Sequence, residues 1–91
     1  MQIKYTKSFL SKLEDIFAET DYHLRYEKGK FQSGYCILRD AKIVIVNKYF
    51  PLEGKVNSLI DILKSIEIDR KKLSDKNRPL MDYINQNQLQ L

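Results

Sequence analysis

Four consecutive β-branched aliphatic residues, Ile43-Val44-Ile45-Val46, constrain this chain more than any other feature. Branching at Cβ favours the pleated backbone of a strand. A strand that is apolar at every position is normally buried on both faces. The run therefore asks for a sheet with cover on each side, and the flanking sequence must supply that cover.

On either side the hydrophobic period changes. Phe9, Leu10, Leu13, Ile16 and Phe17 fall on one stripe of a helix running to about Glu19, with Thr6 or Ser8 as its cap. The period then becomes two: Tyr22, Leu24 and Tyr26 alternate with His23, Arg25 and Glu27, as in a half-buried strand. Gln32 to Leu38 reads as a second strand and Ile43 to Asn47 as a third. After Pro51 the helical period returns at Leu52, Val56, Leu59, Ile60, Leu63 and Ile66, the clearest helix in the chain. Gly54 weakens the first turn of that helix, and its place there points to a close packing contact.

Tight turns set an expected register. Gly29-Lys30 suits a two-residue hairpin loop and Asp40-Ala41 a second one. The first would pair Leu24 with Tyr35 and His23 with Cys36. The second would pair Ile37 with Val44, Cys36 with Ile45 and Tyr35 with Val46. One sheet face then carries Tyr22, Leu24, Tyr26, Tyr35, Ile37, Val44 and Val46, and the helices should lie on it. The other carries His23, Arg25, Gly34, Cys36, Leu38, Ile43, Ile45 and Asn47. Cys36, Leu38, Ile43 and Ile45 there form an apolar strip that needs cover from the C-terminal segment, a helix or a second copy of the chain.

Beyond Ile68 the pattern thins. Asp69-Arg70-Lys71-Lys72 is a charge cluster, Asn77-Arg78-Pro79 a break, and Leu80, Met81, Tyr83 and Ile84 allow one short helix before a Gln/Asn-rich end. The expected architecture is α+β in one domain, residues 1–91. A helix leads into a three-stranded antiparallel meander and a long helix (αβββα), and residues 69–91 form a loosely ordered C-terminal segment.

Composition narrows the function classes. The chain has 91 residues, 43% of them hydrophobic, enough for one core and too few for two domains. Its formal charge of +4 is compatible with an anionic partner without requiring one. A single cysteine, Cys36, excludes an intrachain disulfide, and no apolar stretch has the length of a signal peptide or a membrane span. The cytoplasm is the expected compartment. One His and one Cys cannot build a zinc site, and no cofactor or metal is expected.

Two constellations carry chemical interest. In the expected register His23 faces Cys36, and an imidazole beside a thiol can generate a nucleophile, so the pair is a candidate thiol dyad. Against it, no helix N-terminus points at the pair and no third residue orients it, and the plainer reading, Cys36 as a small apolar filler and His23 as an edge residue, is favoured. Secondly, Arg25, Tyr26, Lys28, Lys30, Phe31 and Tyr35 interleave cations with aromatics, the composition of a single-stranded nucleic-acid platform. In the plainer reading Tyr26 and Tyr35 are core and the lysines a solvated turn. Arg70, Lys71, Lys72, Lys76 and Arg78 read first as a solvated charged face. Glu14 with Asp15, and Glu67 with Asp69, diverge on a helix and carry no acid–base role.

Two resemblances attach to these residues. Arg25-Tyr26-Glu27-Lys28-Gly29-Lys30-Phe31-Gln32-Ser33-Gly34-Tyr35-Cys36, then Val46-Asn47-Lys48 and Glu53-Gly54-Lys55-Val56-Asn57-Ser58-Leu59-Ile60-Asp61-Ile62-Leu63, resembles a family of short uncharacterised bacterial proteins. The likeness covers about residues 9–66 and implies no activity. Ile43-Val44-Ile45-Val46-Asn47 followed by a helix is also similar to zinc peptidases of the ImmA/IrrE type, where a strand ending in asparagine precedes a helix with a His-Glu-x-x-His motif. Here the equivalent stretch, Ile60-Asp61-Ile62-Leu63-Lys64, has neither histidine, so the resemblance implies a metal-free relative.

No motif in the chain names an activity. The leading expectation is a small non-enzymatic domain that self-associates or binds a protein partner, with Cys36, Leu38, Ile43 and Ile45 as its candidate interface. A nucleic-acid binder and a thiol enzyme using Cys36 are the alternatives. No membrane partner is expected.

Overall fold

The computed structural model describes residues 2–28 and 34–87. The element order is α1 (Lys7–Ala18), β1 (His23–Glu27), β2 (Tyr35–Leu38), β3 (Ile43–Asn47), α2 (Leu52–Ser65), a 3-10 turn (Arg70–Lys72) and α3 (Arg78–Asn87). The α+β class and this succession agree with the sequence expectation. Thr6 caps α1, its hydroxyl accepting the Phe9 N–H at 3.0 Å. Pro51 stands at the cap of α2, where its missing N–H leaves no bond unmade.

The sheet is not the expected meander. Its order is β1-β3-β2. β3 pairs with β2 antiparallel, in the expected register (Tyr35 with Val46, Cys36 with Ile45, Ile37 with Val44), and with β1 parallel (Leu24 with Val44, Tyr26 with Val46). The expected β1–β2 hairpin, with His23 opposite Cys36 and Leu24 opposite Tyr35, is replaced by a sheet in which β3 lies between the two. The Gly29-Lys30 turn itself falls outside the described residues. The physical reason lies in β3. It is the most apolar strand, and the centre gives it ladder partners on both sides, whereas β1, with Arg25 and Glu27, tolerates an edge.

The side-chain faces survive this change, because Leu24 is level with Val44 in the parallel ladder. Val44 and Val46 are fully buried, and Leu24, Tyr26, Tyr35 and Ile37 pack around them. α1 packs on β1 and α2 on β3, so that the two helices form one layer over this face. Leu13, Ile16 and Phe17 from α1 meet Val56, Leu59, Ile62 and Leu63 from α2 in the core between them.

The segment after Ile68 is part of the core rather than a loose tail. Leu73, Leu80, Met81 and Ile84 are all buried, and α3 packs on α2. Polar ties fix the segment further. The Arg70 guanidinium grips Asp82 through two bonds, Nε–Oδ1 at 3.0 Å and Nη2–Oδ2 at 2.8 Å. At the end of α1, one Glu19 carboxylate oxygen accepts the Ser74 N–H at 3.0 Å and the buried Asn77 amide at 2.8 Å. A scan for apolar periodicity counts none of these contacts. The last residues, 88–91, lie outside the described part of the chain.

Those donors hold the Glu19 carboxyl below the usual carboxylate range, the Ser74 backbone N–H contributing most and Asn77 next. A depressed folded-state pKa stabilises the fold at neutral pH, and that contribution disappears as pH falls through the folded value. Glu19→Gln should therefore lower stability near pH 7 and flatten its dependence on pH in the acid range. Amide exchange in α3 should accelerate with it. Parallel pH profiles for the two proteins would contradict this role for Glu19.

Gly34 and Gly54 share a neighbour that periodicity does not reveal. Gly34 has φ +84°, and a Cβ there would stand 2.0 Å from the Phe50 ring; one on Gly54 would stand 2.9 Å from the same ring. Phe50 thus lies against both glycines, and the close contact expected at Gly54 is real. Gly34→Ala combines a left-handed backbone with that clash, and a loss of about 1–3 kcal/mol is expected in urea melts. An unchanged midpoint would show that the Phe50 ring moves aside freely.

Candidate functional site

The face of the sheet turned away from α1 and α2 is built from three cross-strand rows. His23, Ile43 and Leu38 stand side by side; Arg25, Ile45 and Cys36 form the next row; Glu27 and Asn47 form the third, with the Asn47 N–H bonded to the Gly34 carbonyl at 2.9 Å. Alternation along β3 buries Val44 and Val46 on one side and leaves Ile43 and Ile45 half-buried on the other, beside His23, Leu38, Arg25 and Cys36 in the ladders. Neither isoleucine, nor Cys36, nor Leu38 belongs to the packed core. Leu38 is 42% exposed, unusual for a large aliphatic side chain on a strand.

The candidate interface read from the sequence therefore assembles as one contiguous patch. Among the described residues α1 packs on β1, α2 on β3 and α3 on α2, and the burial of Val44 and Val46 places that helical layer on the opposite face. β1 supplies a polar margin. Arg25 and Glu27 point the same way along the strand, and the Arg25 Nε reaches the Glu27 Oε2 at 2.8 Å. The pair stands at i and i+2 on a strand, the spacing that places both side chains on one face.

The other constellations come apart. His23 and Cys36 sit on opposite edge strands with β3 between them, about 10 Å apart across the sheet alone. The thiol is half-buried and free. The cation–aromatic interleaving divides between the two faces: Arg25 is on the open face, while Tyr26 and Tyr35 pack toward the core. The Tyr26 hydroxyl donates to Glu14 Oε2 at 2.5 Å, and its pKa is driven well above the ordinary tyrosine value by burial first and by Glu14 second. Lys30 and Phe31 lie outside the described residues.

The C-terminal cations are largely occupied. Arg70 holds Asp82, Arg78 holds Asp75, and Lys76 lies 3.3 Å from Asp15. Among the described residues no three His, Cys, Asp or Glu side chains gather as a metal site. Asn47 does end β3, but its Oδ1 accepts the Tyr49 N–H at 2.9 Å, a local turn contact. In the stretch where a peptidase would carry its histidines, Ile60, Ile62 and Leu63 are buried in the helix–sheet core. No helix of the described residues is long and apolar enough to cross a membrane. Compared with protein-family models, with curated proteins and with solved structures, the chain matches none.

Proposed function

We propose that this chain is a small non-enzymatic interaction domain that self-associates through the open face of its sheet. The observation that carries this reading is the pair Ile43 and Ile45 on the central strand, apolar, half-buried and, among the described residues, on the face opposite Val44 and Val46 and outside the packed core. A patch of this kind, with an apolar centre at Ile45 and a polar margin at His23, Arg25, Glu27 and Asn47, has the anatomy of an interface.

Charge supports a second copy as the partner. The chain is formally +4, yet among the described strand residues the ionised groups on this face, Arg25 and Glu27, cancel. Two copies can therefore approach face to face without like-charge repulsion. A two-fold operation can also exchange the ion pair, Arg25 of one copy with Glu27 of the other. The sheet is small. Three strands of about five residues give a footprint of roughly 14 by 17 Å, well below the area of a standard interface. The association should accordingly be weak and concentration-dependent. A free thiol at Cys36 fits the reducing cytoplasm.

Cys36 reports on this reading directly, because it lies in the patch. Its alkylation by iodoacetamide should slow as protein concentration rises from the low micromolar to the near-millimolar range. A rate constant independent of concentration over that range would contradict self-association through this face.

A further inference from the structure

The second feature of the molecule that can accept a partner lies away from the sheet. The N-terminal segment, α1 and the start of α3 enclose a cleft of about 440 Å³. That volume is within the range of small-molecule sites. Phe9 and Leu80, each 5% exposed, close its floor, and the methylene stems of Lys4, Lys12 and Lys76 supply most of its accessible apolar lining. Three lysines, Lys4, Lys12 and Lys76, stand around it, and among the described residues no carboxylate lines it.

These lysines differ in their attachments. Lys76 is drawn to Asp15, its Nζ 3.3 Å from the carboxylate. Among the described residues neither Lys4 nor Lys12 forms an ion pair, and both are exposed. Asn77 forms part of the wall and is fixed in place by Glu19, the contact that ties α3 to the end of α1. The wall therefore rests on the packed core rather than on a free loop. Lys4 is separated from Lys76 by most of the chain, and nothing local in the sequence signals that they meet.

We infer that this cleft binds a small anionic amphiphile, with its apolar body along the lysine stems over the floor at Phe9 and Leu80 and its anionic head between the Lys4, Lys12 and Lys76 ammonium groups. Both halves are needed. Exposed lysines alone hold a phosphate or carboxylate weakly, since water and salt screen them. An apolar wall alone would accept neutral molecules as readily as charged ones. Together they select a ligand with one charged end, and lysine ammonium groups serve a carboxylate or a phosphate as point charges.

Decanoate is a suitable probe, titrated into the full chain and followed by isothermal calorimetry and amide chemical shifts. Saturable binding is expected, with shifts at Phe9, Lys12, Asn77 and Leu80. Decanol and inorganic phosphate should each bind weaker by about tenfold or more. Lys4→Glu with Lys12→Glu should weaken decanoate by about tenfold or more, both residues being exposed and outside the packed core. Lys48→Glu with Lys64→Glu makes the same change in net charge away from the cleft and should leave affinity unaltered. So should Ile45→Lys, which separates this site from the sheet face. The inference is overturned if decanoate fails to saturate, if both double variants weaken it equally, or if Ile45→Lys abolishes binding.

Discussion

Leu63→Ala should lower the stability of the folded chain by about 2–5 kcal/mol, the range for removing a large aliphatic side chain from a packed core. Leu63 is 1% exposed and lies on the inward stripe of α2. That helix packs on α1, on β3 and on α3, so it is the element every other layer meets. Truncation at Leu63 opens a cavity where surrounding residues from several elements cannot all collapse at once. Small domains have total stabilities of roughly 5–15 kcal/mol, and one this short belongs at the lower end. The variant should therefore melt far below the unmodified protein or be partly unfolded at room temperature. Urea unfolding measures this, and a change under about 0.5 kcal/mol would remove α2 from the centre of the fold.

Ile45→Lys should have the opposite profile, with a small effect on folding and a large one on association. Ile45 is half-buried by its neighbours in the sheet, and a lysine there can extend its ammonium into water. The cost to the isolated chain should be up to about 1 kcal/mol, through weaker strand propensity. In a face-to-face dimer the same ammonium would stand at the dry centre opposite its own copy, beside Arg25, with the neighbouring Glu27 carboxylate already paired to that arginine. An unpaired buried charge is among the most destabilising features an interface can carry. Dimer formation should be lost at all accessible concentrations while the circular dichroism of the fold is retained. Leu38→Ala, at the edge of the same patch, should weaken association without abolishing it.

These two residues also mark what could be read from the sequence and what could not. The stripe through Leu63 and the alternation through Ile45 are periodic signals, and they correctly separate core positions from the open face. The β2–β3 register followed from the tight turn near Asp40-Ala41, because a short loop leaves a strand little choice of partner. The neighbour of β1 was a different matter. Alternation at Leu24 and Tyr26 fixes which way side chains point, yet it is satisfied equally beside β2 or beside β3. The continuous apolar run of β3, which calls for ladder partners on both edges, was the signal favouring the central position.

The C-terminal segment was hidden for another reason. The helical spacing of Leu80, Met81 and Ile84 was legible, but the docking of that helix was not, because much of its anchoring is polar: Glu19 to Ser74 and Asn77, Arg70 to Asp82. Partnerships across more than fifty residues leave no periodic trace. The same holds for the cleft, where Lys4 and Lys76 meet only after α3 docks. The thiol dyad depended wholly on pairing β1 with β2, and it came apart with that pairing.

Sedimentation velocity of the unmodified chain, from low micromolar to near-millimolar concentration, tests the central proposal most directly. The expected result is a reversible shift from monomer toward dimer over that range, absent in Ile45→Lys. A single monomeric species at every concentration, identical in the two proteins, would contradict self-association through Ile43 and Ile45.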